Sequence, residues 1–202
     1  MNWELIHKLL DKLDTAANSN SFWIELGIPA GELELGKVLV QHLRTGNFHF
    51  ELVKQDINRD WNNYSEMVFP RNYEQPVLIQ RPGNTWNGNE EIKFKEISKT
   101  IITEHLIDIL TGQTKHYSKS SLGTQLKEEV AKTLTSELIS MLSTVDKNWK
   151  GFLITPDFLN QVDEYYDSGY IKLGYFENCG RDMAIVFLVD EQLYLLLTNG
   201  YS

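Results

Sequence analysis

Residues 184–189 read AIVFLV, an unbroken apolar run. Successive side chains of a strand point to opposite faces, so a strand with one wet face must alternate. This run does not alternate. It predicts a central strand covered on both sides, and the rest of the chain must supply two covering layers.

Helical patterns supply part of that cover. Leu122, Leu126, Val130, Leu134, Leu138, Leu142 and Val145 recur every three or four residues, which predicts a helix over 121–145. At about 1.5 Å per residue it would run about 38 Å, enough to lie along most of a sheet. Leu5, Ile6, Leu9, Leu10 and Leu13 form one stripe over 3–17, with Asn2 as the cap. Ile102, Leu106, Ile109 and Leu110 form another over 96–111, and Gly112 sits where a helix-ending left-handed residue belongs. Thr155-Pro156-Asp157 reads as one more helix start, and Phe158, Leu159 and Val162 as its buried face.

Strand patterns come in blocks. FWIELGI, LELGKVLVQHL, NFHFELVK, SEMVF, PVLIQ and EIKFKEI fall between residues 22 and 97. FLIT, YIKLGYFE, MAIVFLV and QLYLLLT follow after residue 151, the last two separated by Asp190-Glu191. Strands in blocks predict an α+β fold: a largely antiparallel sheet packed against a long helix and two or three shorter helices. The 202 residues suit one domain, with the polar stretch 111–121 as a candidate internal boundary.

Charge narrows the function. The chain has 28 acidic and 19 basic residues, a net charge of −9. Phosphate backbones and anionic membrane surfaces repel such a surface, so neither nucleic acid nor membrane is expected as a partner. A basic protein is the favoured partner. The single cysteine, Cys179, allows no internal disulfide and fits a reducing, cytoplasmic setting. The N-terminal MNWELIHKLLDKLD is amphipathic and lacks the pattern of a signal peptide. Asn63-Tyr64-Ser65 matches a glycosylation pattern by chance.

Few residues suggest chemistry. If Thr45-Gly46 closes a two-residue hairpin, His42 opposes His49. Leu39, Leu43, Phe48, Phe50 and Leu52 then share one face, and the two histidines share the other with Glu51. Cross-strand Cβ atoms lie about 5 Å apart. Two imidazoles at that distance, with Glu51 bending in, meet the three-ligand minimum of a catalytic zinc site. The competing view is a solvated histidine pair. His105 and Asp108 are one helical turn apart, close enough for the carboxylate to orient the ring, although an ordinary helix-surface pair has the same spacing. Cys179 neighbours Arg181, but no base adjoins it in sequence. PGNTWNG lacks the Gly-Lys-Ser/Thr ending of a phosphate loop.

The tryptophans are more informative. Four of the five adjoin asparagine, and Trp61 (NRDWNNY) and Trp86 (GNTWNGN) fall in polar stretches that read as loops. Such indoles either plug the core edge or anchor a partner. With Asp60 beside one, and Glu90 and Glu91 beyond the other, they are the expected partner-binding residues. The resulting expectation is a non-enzymatic protein-binding module without a cofactor, such as a stoichiometric inhibitor or neutraliser of a basic protein. The alternatives are a zinc-dependent hydrolase using His42, His49 and Glu51, and a small-ligand module that stacks aromatics.

Overall fold

The apolar run becomes the middle of a sheet. In a computed structural model, residues 1–29, 31, 35–45, 94–117, 123–154 and 183–200 are described. They form α1 (Trp3–Ala17), β1 (Ser19–Gly27), α2 (Leu35–Thr45), β2 (Lys95–Ile97), α3 (Lys99–Thr111), α4 (Glu128–Val145), β3 (Lys150–Ile154), β4 (Met183–Val189) and β5 (Gln192–Gly200). The strand order is β1-β5-β4-β3-β2, and every neighbouring pair is antiparallel. This is the expected α+β architecture.

β4 divides the interior in two. Ala184 and Val186 face a cluster that includes Phe22, Ile24, Leu195 and Leu197, and Leu35 and Leu39 of α2 join it. Met183, Ile185, Phe187 and Val189 face the opposite cluster, built with Trp23, Leu196 and the apolar stripes of α1, α3 and α4. All but one of the seven β4 residues are buried; Leu188 is partly so. Full burial of one such side chain contributes about 1.5–3 kcal/mol. β4 and β5 join through Asp190 and Glu191, both at positive φ (49° and 63°). That is the handedness that lets a two-residue turn follow the strand twist.

α1 follows its pattern. Asn2 caps it by accepting from the Leu5 N–H at 3.2 Å, and Ile6, Leu9, Leu10, Leu13, Ala16 and Ala17 are buried. Asn18 ends it in the left-handed region, and β1 begins at once, at Ser19. α3 ends as expected at Gly112, with φ of 66°.

The chain between α3 and α4 is pinned under two helix ends. The Thr124 N–H donates to the Thr15 carbonyl and the Leu126 N–H to the Leu110 carbonyl, both at 2.8 Å. Each bond satisfies a carbonyl near a helix C-terminus that the helix itself leaves unpaired. Gly123 makes this approach possible, because a Cβ there would lie 1.9 Å from the Ala16 carbonyl oxygen.

Two expectations are corrected. The long helix starts at Glu128, not 121, and its buried face is Ala131, Leu134, Thr135, Leu138 and Leu142. Val130 and Val145 are exposed, at 49% and 43%. Val130 lies about 100° around the helix from Ala131 and so off the buried line, whereas Val145 lies on that line but at the last residue of the helix. The second correction is larger. The stretch 33–43, expected as a strand of the His42/His49 hairpin with its turn at Thr45-Gly46, gives way to helix α2 over Leu35–Thr45. Leu35, Val38, Leu39 and His42 also satisfy i, i+3, i+4, i+7, and burying Leu35 and Leu39 against the sheet selects the helical period. Valines at 38 and 40 raise strand propensity, which tertiary packing overrides.

Leu138→Ala should destabilise the fold by about 2–5 kcal/mol in urea melts, through lost burial and a cavity. Val130→Ala should change it by under about 0.5 kcal/mol, as at an ordinary surface position. Equal costs at both would overturn the assignment of faces. Gly123→Ala should cost about 1–3 kcal/mol, because the added methyl meets backbone that cannot step aside.

Candidate functional site

Of the expected metal ligands, only His42 is described, and it lies on α2. The cross-strand geometry that brought it to His49 is therefore removed; His49 and Glu51 lie outside the described residues. So do Trp61, Trp86, Asp60, Glu90 and Glu91, and Cys179 as well. Among the described residues, no group of three or more His, Cys, Asp or Glu is placed to hold a metal ion. No helix there is long and apolar enough to cross a membrane.

The described tryptophans divide sharply. Trp23 and Trp149 are core residues, 1% and 4% exposed. Trp23 stacks on Phe187, and the Trp149 ring carries Lys99 Nζ 4.6 Å from its centroid. Trp3 is 47% exposed, and its ring neighbour among the described residues is His7, 6.3 Å away. The asparagine contexts of Trp3 and Trp149 are alike, and only their places in the fold separate them: Trp3 lies on the first turn of α1, Trp149 between α4 and β3 in the core.

Beside the first turn of α1 runs an open groove. Met1, Asn2 and Leu5 form one wall, and α4 forms the other from Lys132 to Val145, including Ser136, Ser140 and Met141. Thirteen residues of rise make that wall about 20 Å long. The Lys8–Glu137 ion pair, at 3.2 Å, ties α1 to α4 beside it. Both partners are about half exposed, so the pair adds at most about 1 kcal/mol. The groove combines apolar side chains with hydroxyls and neutralised charges.

A second cluster closes the end of α3. The Asp108 carboxylate accepts three backbone N–H bonds, from Lys115 (3.1 Å), His116 (2.7 Å) and Tyr117 (3.1 Å). It thus caps the following turn and does not serve to orient His105, as the one-turn spacing had suggested. His105 is 8% exposed, and its Nδ1 lies 2.7 Å from Tyr117 Oη. Its ring stacks on His116, with centroids 4.1 Å apart. Glu104 binds Lys115 Nζ, and that hydrogen bond holds its carboxyl below the usual range. Sequence reasoning missed Lys115, His116 and Tyr117, which fall in a polar stretch. A signal existed: an acid in the last turn of a helix opposes the dipole, so Asp108 needed donors from elsewhere.

The chain matches no protein-family profile, no curated protein and no solved structure in the three comparisons made.

Asp108→Ala should destabilise the fold by about 1.5–3 kcal/mol, the range of a hydrogen bond to a charged group, since water replaces part of what the three donors lose. Chemical denaturation at neutral pH would measure it. A change below about 0.5 kcal/mol would show that the turn stands without the carboxylate.

Proposed function

We propose that this protein is a non-enzymatic protein-binding module whose partner is a basic protein, which it could inhibit or neutralise stoichiometrically. The observation that carries this reading is the first turn of α1. It presents a half-exposed indole, Trp3, next in sequence to a wall of an open, partly apolar groove. A half-exposed indole is available for contact, and tryptophan leads among residues that dominate binding energy. The 20 Å wall of α4 suits a partner helix of three to four turns laid along it, at about 5.4 Å per turn. The charge of −9 favours a basic partner and would speed its encounter.

Trp61 and Trp86 are proposed as further anchors on sequence grounds, with Asp60, Glu90 and Glu91 steering the approach. The proposed place of action is the cytoplasm, on the ground of the single cysteine. The zinc-hydrolase reading loses its supporting geometry with the hairpin, and no specific observation favours small-ligand stacking.

The test begins with capture of binding proteins from the native host by the immobilised chain. Titrations of each recovered protein against wild type and variants follow. Trp3→Ala should leave the melting temperature unchanged and weaken binding by about 2 kcal/mol or more, roughly thirtyfold. Trp61→Ala and Trp86→Ala should behave alike, and neutralising Asp60, Glu90 and Glu91 should slow association and flatten its salt dependence. Unchanged affinity in all three tryptophan variants, or near-stoichiometric zinc in the purified protein, would contradict the proposal.

A further inference from the structure

α3 and the turn after it are joined by side chains that titrate. His105 is 8% exposed, hydrogen-bonded through Nδ1 to Tyr117 at 2.7 Å, and stacked on His116 with ring planes 25° apart. His116 Nε2 lies 3.7 Å from Glu104 Oε2. Among the described residues, the charged groups facing His105 are Glu104 and Asp108 on α3 and Lys115 and His116 on the turn. α1 and α4 also pack on α3, and they bring no described charge to bear on it.

We propose that the His105–His116 stack is an acid-released latch, in which protonation of His105 undoes the stack and detaches residues 113–117 from the end of α3. The neutral ring can either accept from the Tyr117 hydroxyl or donate to it, whereas an imidazolium can only donate. Burial pushes the Tyr117 phenol well above its ordinary range, so the hydroxyl keeps its proton and would need a new acceptor. Among the described residues, neither carboxylate that faces His105 is free to turn and pair with it once charged. Asp108 is held by three backbone N–H groups, and Glu104 by Lys115 and His116. A charged ring is also disfavoured by His116, which stacks on it at 4.1 Å.

The sign follows from which state binds the proton. Burial first, and then the repulsion from His116, hold His105 down at about 4 in the closed turn. Once released, the ring returns to an ordinary value of about 6.5. The open turn therefore takes up the proton first. The latch holds fully above about pH 6.5, weakens as pH falls through the window to about 4, and loses nothing further below it. Within that window the open-to-closed ratio grows up to about tenfold per pH unit, or up to about 300-fold in all.

The test combines histidine-ring NMR titration with amide hydrogen exchange at residues 115–117, corrected for intrinsic pH dependence, in the full chain. In wild type, protection of these amides should fall between pH 6.5 and 4 while α3 interior amides stay protected. His105→Gln should hold that protection nearly constant across the same range. His116→Gln, which removes the repulsion across the stack, should raise the pH at which the His105 ring titrates. Wild-type protection that does not change with pH would overturn the latch. So would an equal loss in His105→Gln, which retains Asp108 and Glu104. If His105→Gln does not fold, the ring titration decides: a wild-type His105 that titrates near 6.5, or one unmoved by His116→Gln, sinks the proposal.

Discussion

Two-sided burial of β4 is the constraint from which the rest of the described structure follows. A strand that is apolar on both faces cannot sit at an edge or against water. It needs partners on both sides in the sheet, which β3 and β5 provide, and cover above and below. Ala184 and Val186 draw α2 onto one face; Ile185 and Phe187 draw α1, α3 and α4 onto the other. The two covers are unequal. One helix serves the first face among the described residues, where Leu188 of β4 stays partly exposed, and three serve the second, where Met183, Ile185, Phe187 and Val189 are all buried.

The second level of organisation is the disposal of polar groups at helix ends. Two of the three helices on one face, α1 and α3, bring their C-termini together beside the start of α4, with carbonyls that neither helix can satisfy. The stretch 123–126 solves this for α1 and α3 by donating backbone N–H groups to each. Asp108 solves the converse problem in the turn 115–117, whose N–H groups all point to one carboxylate. The result ties α3 to its own exit by hydrogen bonds and stacked rings.

Much of this was legible in the sequence wherever one signal dominated. The all-apolar AIVFLV gave the central strand, and Asn2 with the Ile6–Leu13 stripe gave α1. Gly112 gave the end of α3. α2 was not legible, because LELGKVLVQHL satisfies both the twofold and the 3.6-fold period and only the facing sheet arbitrates. Val130 illustrates a finer limit: a spacing of four is compatible with either side of a stripe, and one residue of phase moves a side chain by 100°. The groove and the His105 cluster escaped for other reasons. The groove joins residues far apart along the chain, such as Leu5 and Met141, which no local pattern announces; Asp108 and its donors span only nine residues, but those donors fall in a polar stretch with no periodicity.

Native-state hydrogen exchange on β4 tests the central claim most directly. If β4 is the shared wall of both cores, the Ile185, Val186 and Phe187 amides should exchange only through global unfolding. Their opening free energies should then equal that of the whole domain. Ile185→Ala on the helical side and Val186→Ala on the α2 side should lower all three together. Exchange of any of these amides through a local opening, several kcal/mol below the global value, would contradict the account. So would one substitution that loosens its own face while the other face keeps full protection.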